Sequence, residues 1–234
     1  MNRTKIEWCD TTLNPVVGCT FNCIYCYARR LNDRFSYIED WNKPQFFPGR
    51  LKQLESKKPK NIFMNSMSDV ADWSHDILNV VGLAMNQNPQ HNYLFLTKRP
   101  DKANLFRALN LSNEWIGATI TSDTEIGRIH ELINLRCINS NNKVFISFEP
   151  IQNDPFKWNG IKVTEEDIKN INWFIIGAET GNRKDKITPK KEWIEPILIL
   201  ADHFNIPVFM KDSMIPIVGE YYMRRELPKE LIHK

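Results

Sequence analysis

The chain has 234 residues, 42% hydrophobic and 25% charged, with 31 basic against 28 acidic side chains and a net charge of +3. This composition excludes a disordered or fibrous chain, no apolar run reaches the ~20 residues of a membrane-spanning helix, and the charge surplus is too small to argue for nucleic acid unless clustered. The N-terminal MNRTKIEWCD lacks the apolar run of a secretory signal, so the expected setting is cytoplasmic, with no membrane partner and few structural disulfides.

In chain order, the first strand is read at NPVVGC, followed by a loop with three cysteines and a helical pattern over Tyr25 to Tyr37. NIFMNS (61–66) reads as a strand, and SHDILNVVGLAMNQN as a helix opened by a Ser cap. NYLFLTK (92–98) is a strand; PDKANLFRALN opens a helix with Pro near its first position. WIGATIT (115–121) is a strand, and SDTEIGRIHELINLR places Ile126, Ile129 and Ile133 at helical spacing. KVFISFEP (143–150) and NWFIIGAE (172–179) are strands separated by a stretch, 151–171, in which no helix is read. TPKKEWIEPILILADHF begins a helix at Thr188–Pro189, and IPVFMKD (206–212) is the last strand. The strand runs are nearly continuously apolar, as in strands buried on both faces. Strand–helix alternation implies parallel strands with right-handed crossovers. The expected architecture is one α/β domain spanning 1–234, a complete or partial (β/α) barrel, with a doubly wound open sheet as the alternative.

Functional residues of such barrels follow the C-terminal ends of the strands. Those positions hold Cys19 to Cys26, Ser66 to Asp69, Lys98–Arg99, Ser122–Asp123, Glu149, Glu179 and Lys211–Asp212. Basic residues cluster in ARRLNDR, ESKKPKN, TKRPDK and TGNRKDK, readable as solvated loops or as phosphate contacts. Trp8, Trp41, Trp73 and Trp115 are read as core or rim packing, and Cys137 as a buried small residue.

Three of the five cysteines, Cys19, Cys23 and Cys26, fall in C-x3-C-x2-C. A structural zinc site takes four ligands, usually as two pairs; Cys9 and Cys137 stand alone, and the five histidines form no H-x3-5-H pair. One metal position is therefore left unsupplied, which suits a [4Fe–4S] cluster that keeps one iron open. This spacing, with Tyr25 just before the third cysteine, resembles the radical S-adenosylmethionine superfamily. More narrowly, KIEWCDTTLNPVVGC, CYA, FMNSMSDV, LTKRP, FISFEPI, WFIIGAETG and PVFMKDS resemble the phage Gp37/Gp68 family, from Lys5 to Ser213. That family commonly has threonine in place of Cys9, so Cys9 is not expected to be a ligand.

The resemblance implies a radical SAM type barrel in which Cys19, Cys23 and Cys26 hold the cluster and S-adenosylmethionine is cleaved to a 5′-deoxyadenosyl radical. It implies Ser66, Ser68 and Asp69 for the methionine amino group, Lys98 for its carboxylate, and Tyr25, Gly177 and Glu179 for the adenine region. Glu149 and Lys211 are the candidate catalytic groups. A reducing electron donor of flavodoxin or ferredoxin type is implied. The mouth-side cations Lys98, Arg99, Arg183, Lys184 and Lys186 point to a nucleic-acid base or nucleotide as substrate. The alternatives are a peptide or small metabolite, or a non-enzymatic zinc- or cluster-binding nucleic-acid protein.

Overall fold

Residues 4–102, 111–138, 143–157, 160 and 163–233 are described in a computed structural model of the chain. Among the described residues nine short strands run in order: β1 (Thr11–Thr12), β2 (Val16–Val17), β3 (Gln45–Phe46), β4 (Asn61–Phe63), β5 (Asn92–Thr97), β6 (Glu114–Thr119), β7 (Lys143–Phe148), β8 (Trp173–Ile176) and β9 (Val208–Met210). Seven form one sheet in the order β1-β4-β5-β6-β7-β8-β9, every neighbouring pair parallel. The sheet curls into a half-barrel, so the partial form of the expected barrel is the one found. The first strand is a correction. Thr11–Thr12 enters the sheet, whereas the Val16–Val17 run pairs antiparallel with Gln45–Phe46 in a separate ribbon.

Helices α1 (Tyr27–Phe35), α2 (His75–Asn86), α3 (Arg128–Ile138), α4 (Glu165–Lys169), α5 (Glu195–Phe204) and α6 (Ile215–Val218) lie between or after the strands. Local chemistry sets their ends. Ser74 accepts the Ile77 N–H at the start of α2, and its Leu78, Val81 and Met85 fall on the buried side. The segment read without a helix contains α4, opened by a capping box in which Thr164 and Asp167 bond each other's backbone N–H. Pro196, rather than Pro189, sits in the first turn of α5, which starts after a separate 3₁₀ turn at Lys191–Trp193. The helix read over 100–110 lies largely outside the described residues, as does the side chain of Cys137.

Strand alternation divides the molecule in two. Val144, Ile146 and Phe148 of β7, with Phe174 and Ile176 of β8, join the helix-side core. Phe145 and Trp173 point into the lumen, with Trp8, Phe63, Leu94, Trp115 and Phe209. These rings form a tilted and edge-to-face cluster, Trp8 and Phe63 being 4.8 Å apart between centroids. Gly117 makes room for it, since a Cβ there would lie 2.5 Å from the Phe145 ring. Toward the C-terminal ends of the strands the inward positions become polar, and there the cavity opens.

Candidate functional site

A cavity of about 400 Å³ occupies that end of the lumen, within the usual size range of ligand sites. Cys19, Cys23, Cys26, Tyr25, Ser66, Ser68, Asp69, Lys98, Glu149, Glu179 and Lys211 all line it. Of the residues read as cluster, cofactor or catalytic positions, only Gly177 is absent from its wall; the cations Arg99, Arg183, Lys184 and Lys186 are not among the residues lining it.

The cysteine loop is built onto the frame from both ends. Gly18 has φ of +109°, and a Cβ there would stand 2.9 Å from Ile38, Pro44 and Trp41 atoms, so glycine alone lets the chain turn in. Its N–H bonds the Met67 carbonyl, and the Cys19 N–H bonds that of Trp41. At the far end Cys26 caps α1, its Sγ accepting the Arg29 N–H at 3.3 Å. The Cys19 Sγ likewise accepts the Phe21 N–H at 3.4 Å. Between them Thr20 is tied to Asp72 through its N–H (3.0 Å) and hydroxyl (2.8 Å), while Arg99 donates to the Thr20 hydroxyl and ion-pairs with Asp72. Phe21 stands near both the Arg99 and Arg128 guanidinium groups, at 5.8 and 5.5 Å. Sequence reasoning missed this fastening, because Asp72 carries no motif of its own.

Burial pushes the Cys19 thiol up to about 12, with Asp69 and Asp72 adding to the rise and the Phe21 N–H and Arg99 opposing it. Burial also raises Cys23, while Lys98 opposes that rise. The Lys98 ammonium lies 5.6 Å from the Tyr25 ring centroid, and no carboxylate pairs with it among the described residues. Burial raises Tyr25 as well. Tyr27 is half exposed as a residue, yet its enclosed hydroxyl donates to the Ser66 carbonyl at 2.7 Å.

The segment after β4 is largely engaged in holding itself. The Ser66 hydroxyl donates to Asn14 at 3.1 Å, and Ser68 Oγ accepts the Trp73 indole N–H at 3.1 Å. Asp69 accepts the Thr97 hydroxyl (2.7 Å) and the Lys98 and Ala71 N–H groups. Its carboxylate therefore joins β4 to the end of β5 while facing the cavity.

Glu149, Gly177 and Lys211 form one inward row across three adjacent strands, because Ser147 pairs with Ile175 and Ile175 with Phe209 two residues earlier. Glu149 and Lys211 make a half-buried ion pair across the glycine. A Cβ at Gly177 would lie 3.1 Å from both side chains. The space at Gly177 is thus shared with this pair. One level below, Thr119 and Ser147 are register partners, 5% and 1% exposed, and both line the cavity. Neither hydroxyl has a protein partner among the described residues. Their inward phase, two positions before Glu149 in the case of Ser147, was the available signal.

At the rim Glu179 is buried and grips Arg183 through two bonds, 2.7 and 2.8 Å, which hold its carboxyl below the usual range. Arg183 and Arg99 are therefore ion-paired with carboxylates of the protein itself. Lys184 is exposed, and Lys186 reaches the Gly181 carbonyl.

Among the described residues no three of the His, Cys, Asp and Glu side chains stand in a ready-made metal-ligating group. The donor set nevertheless fits an iron–sulfur cluster. Three soft thiols face one cavity, two of the sulfurs already take backbone N–H bonds, and protein cations stand beside them.

A family model described as Protein of unknown function (DUF5131) matches residues 3–224. The chain belongs to this family. Its description names no phage protein, so the Gp37/Gp68 resemblance rests on the sequence segments alone. No curated protein matches the sequence. Among solved structures, a spore photoproduct lyase mutant is similar with a TM-score of 0.58 at 10% identity, over 89% of this chain and 78% of that one. A second mutant gives 0.59 over the same shares, also at 10%. A mutant of the lyase with a dinucleoside spore photoproduct gives 0.55 at 11%, over 97% of this chain and 65% of that one. At such identities the likeness is one of fold. No helix among the described residues is long and apolar enough to cross a membrane.

Proposed function

We propose that this protein is a radical S-adenosylmethionine enzyme. The observation that carries the reading is that Cys19, Cys23 and Cys26, on the loop that follows β2, face one cavity at the C-terminal end of a parallel half-barrel. The fold shared with spore photoproduct lyase, itself a radical SAM enzyme, supports it. The three cysteines would hold a [4Fe–4S] cluster, with S-adenosylmethionine beside it in the same cavity. Together these would supply reductive cleavage of the sulfonium and a 5′-deoxyadenosyl radical.

The chain's own residues do the rest. Asp72, Thr20 and Arg99 hold the loop. Lys98, beside Tyr25 and without a carboxylate partner, is the cation available to an anionic group of the cofactor. The Glu149–Lys211 pair sits deeper, where it orients ligand groups and exchanges a proton with them, and the aromatic floor keeps water out. For the substrate we propose a nucleic-acid base or nucleotide. Lys98 on the cavity wall supports this, as does the dinucleoside held by a lyase of the same fold.

Anaerobic reconstitution with iron and sulfide tests the reading. The protein is expected to retain about four iron and four sulfide and, once reduced, to release 5′-deoxyadenosine and methionine from S-adenosylmethionine. Cys19→Ala, Cys23→Ala and Cys26→Ala should each lose most of the iron, while Cys9→Ala keeps it. Zinc retained in place of iron, or iron lost with Cys9 alone, would sink the assignment.

A further inference from the structure

We infer that Arg30 and the loop Thr180–Asn182, at the mouth of the cavity, form a subsite for the phosphate of a nucleotide substrate. The inference rests on the function proposed above and names the part of the substrate that this rim takes. Arg30 and Thr180 both line the cavity. Gly181 has φ of +90°, and the Arg30 Nη2 lies 3.5 Å from where a Cβ on Gly181 would stand. The Lys186 ammonium donates to the Gly181 carbonyl at 3.4 Å. A guanidinium and an ammonium thus meet at one glycine.

The backbone there is open. Among the described residues the N–H groups of Glu179, Thr180, Gly181 and Asn182 donate to no protein acceptor, whereas the Ala178 N–H before them is taken by Ser213 at 3.0 Å. Unfilled N–H donors on consecutive residues, with arginine beside them, suit a phosphate. The glycine lets such a ligand come close to the chain.

Charge selects the ligand. Glu179 is already gripped by Arg183 at 2.7 and 2.8 Å, and Arg30 adds a second positive charge beside it. In this segment Arg30, Arg183, Lys184 and Lys186 are set against Glu179 and Asp185 alone. Neither Arg30 nor Lys186 has an ion pair among the described residues. The other carboxylates of the cavity wall do not draw on the surplus, since Glu149 pairs with Lys211 and Asp69 accepts the Thr97 hydroxyl and the Lys98 N–H. A neutral base would leave this charge unanswered. A phosphate monoester brings about two negative charges and three acceptor oxygens.

Position agrees with charge. Gly177, flanked by the Glu149–Lys211 pair, precedes Thr180 by three residues, at most ~11 Å of chain. One nucleotide covers such a separation, so a base set against the pair leaves its phosphate at the loop.

The probes are the common 5′-nucleoside monophosphates, ribo and deoxy, each beside its nucleoside, with short single strands of RNA and DNA. Calorimetric binding is measured on the full chain, as isolated and after anaerobic reconstitution. At least one phosphate-bearing probe should bind, and a nucleotide that binds should exceed its nucleoside about tenfold or more. Arg30→Gln and Lys186→Gln, each checked for native circular dichroism, should each weaken that probe about tenfold, the scale of one charge-assisted hydrogen bond. Lys58→Gln, exposed before the N-terminal end of β4, should not weaken it. Affinity for S-adenosylmethionine should hold in all three variants. Mononucleotide binding identifies a free nucleotide; binding of the strands alone, with the same losses, identifies a phosphate within a chain. Nucleosides that bind as well as their nucleotides, no binding by any probe, or wild-type affinity in Arg30→Gln would overturn the subsite. So would an equal loss in Lys58→Gln, or a loss of S-adenosylmethionine affinity in Arg30→Gln. Phosphate preference with the expected losses, but no 5′-deoxyadenosine from any form, would sink the proposed enzyme and leave the subsite standing.

Discussion

At the scale of single residues, two glycines in the lumen do different work, and substitution separates them. At Gly117 an added Cβ meets the Phe145 ring at 2.5 to 2.8 Å, and that ring is locked among Trp8 and Trp173. Gly117→Ala is therefore expected to cost ~1–3 kcal/mol of stability, the range for overpacking a core. At Gly177 the contacts are 3.1 Å, to side-chain atoms of Glu149 and Lys211 that can shift by a few tenths of an ångström. Gly177→Ala should cost less than ~1 kcal/mol but disturb the ion pair that faces the cavity. Urea unfolding and calorimetric binding of S-adenosylmethionine to the reconstituted protein check both. A large stability loss at Gly177, or full ligand affinity with the pair displaced, would contradict this assignment of roles.

At the scale of elements, the cysteine loop is held by a fastening that its own motif does not contain. Asp72, in the 3₁₀ turn that follows Asp69, takes two hydrogen bonds from Thr20 and ion-pairs with Arg99. Those bonds hold its carboxyl below its usual range against the opposing effect of burial. Asp72→Ala should leave the sheet folded but weaken iron retention after a desalting step, and Asp72→Asn should restore part of it. Unchanged retention in Asp72→Ala would show that Gly18 and the α1 cap suffice. The three cysteines and the order of strands were legible in the sequence, because spacing and apolar runs are local signals. The fastening was not, since Thr20 and Asp72 meet only through the packing of loops 52 residues apart. The true first strand was also hidden, because Thr11–Thr12 is shorter than any periodicity can report, while Val16–Val17 looks more strand-like and pairs elsewhere. The helix α4 escaped for a similar reason: five residues carry no amphipathic period, and only the Thr164–Asp167 cap announced it.

At the scale of the whole molecule, the lumen is divided between a wet end that carries the site and a dry end that carries stability, as expected of parallel barrels. The helix-facing side of the sheet, where Glu114 shares the phase of Ile116 and Ala118, holds a group at odds with its apolar surroundings. Glu114 opens β6, is 0% exposed, and neither carboxylate oxygen has a hydrogen-bond partner among the described residues. Burial raises its pKa well above the ordinary carboxylate value, so the neutral acid is the form the fold tolerates. The unfolded chain releases this proton near the ordinary value, whereas the native state keeps it to higher pH. Between those two values the native state binds more protons, so stability falls as pH rises through the window. Its slope reaches ~1.4 kcal/mol per pH unit where the difference is one full proton. Below the ordinary carboxylate value the effect is absent, because both states are protonated. Glu114→Gln keeps the shape and removes the ionisation. Comparing urea unfolding of this variant with the wild type from about pH 5 to about pH 8 isolates Glu114 from every other titrating group. The variant should gain stability relative to the wild type as pH rises, with little difference at the acid end. A constant difference across the range, or a relative loss on raising the pH, would mean that the native state carries Glu114 as a stabilised anion.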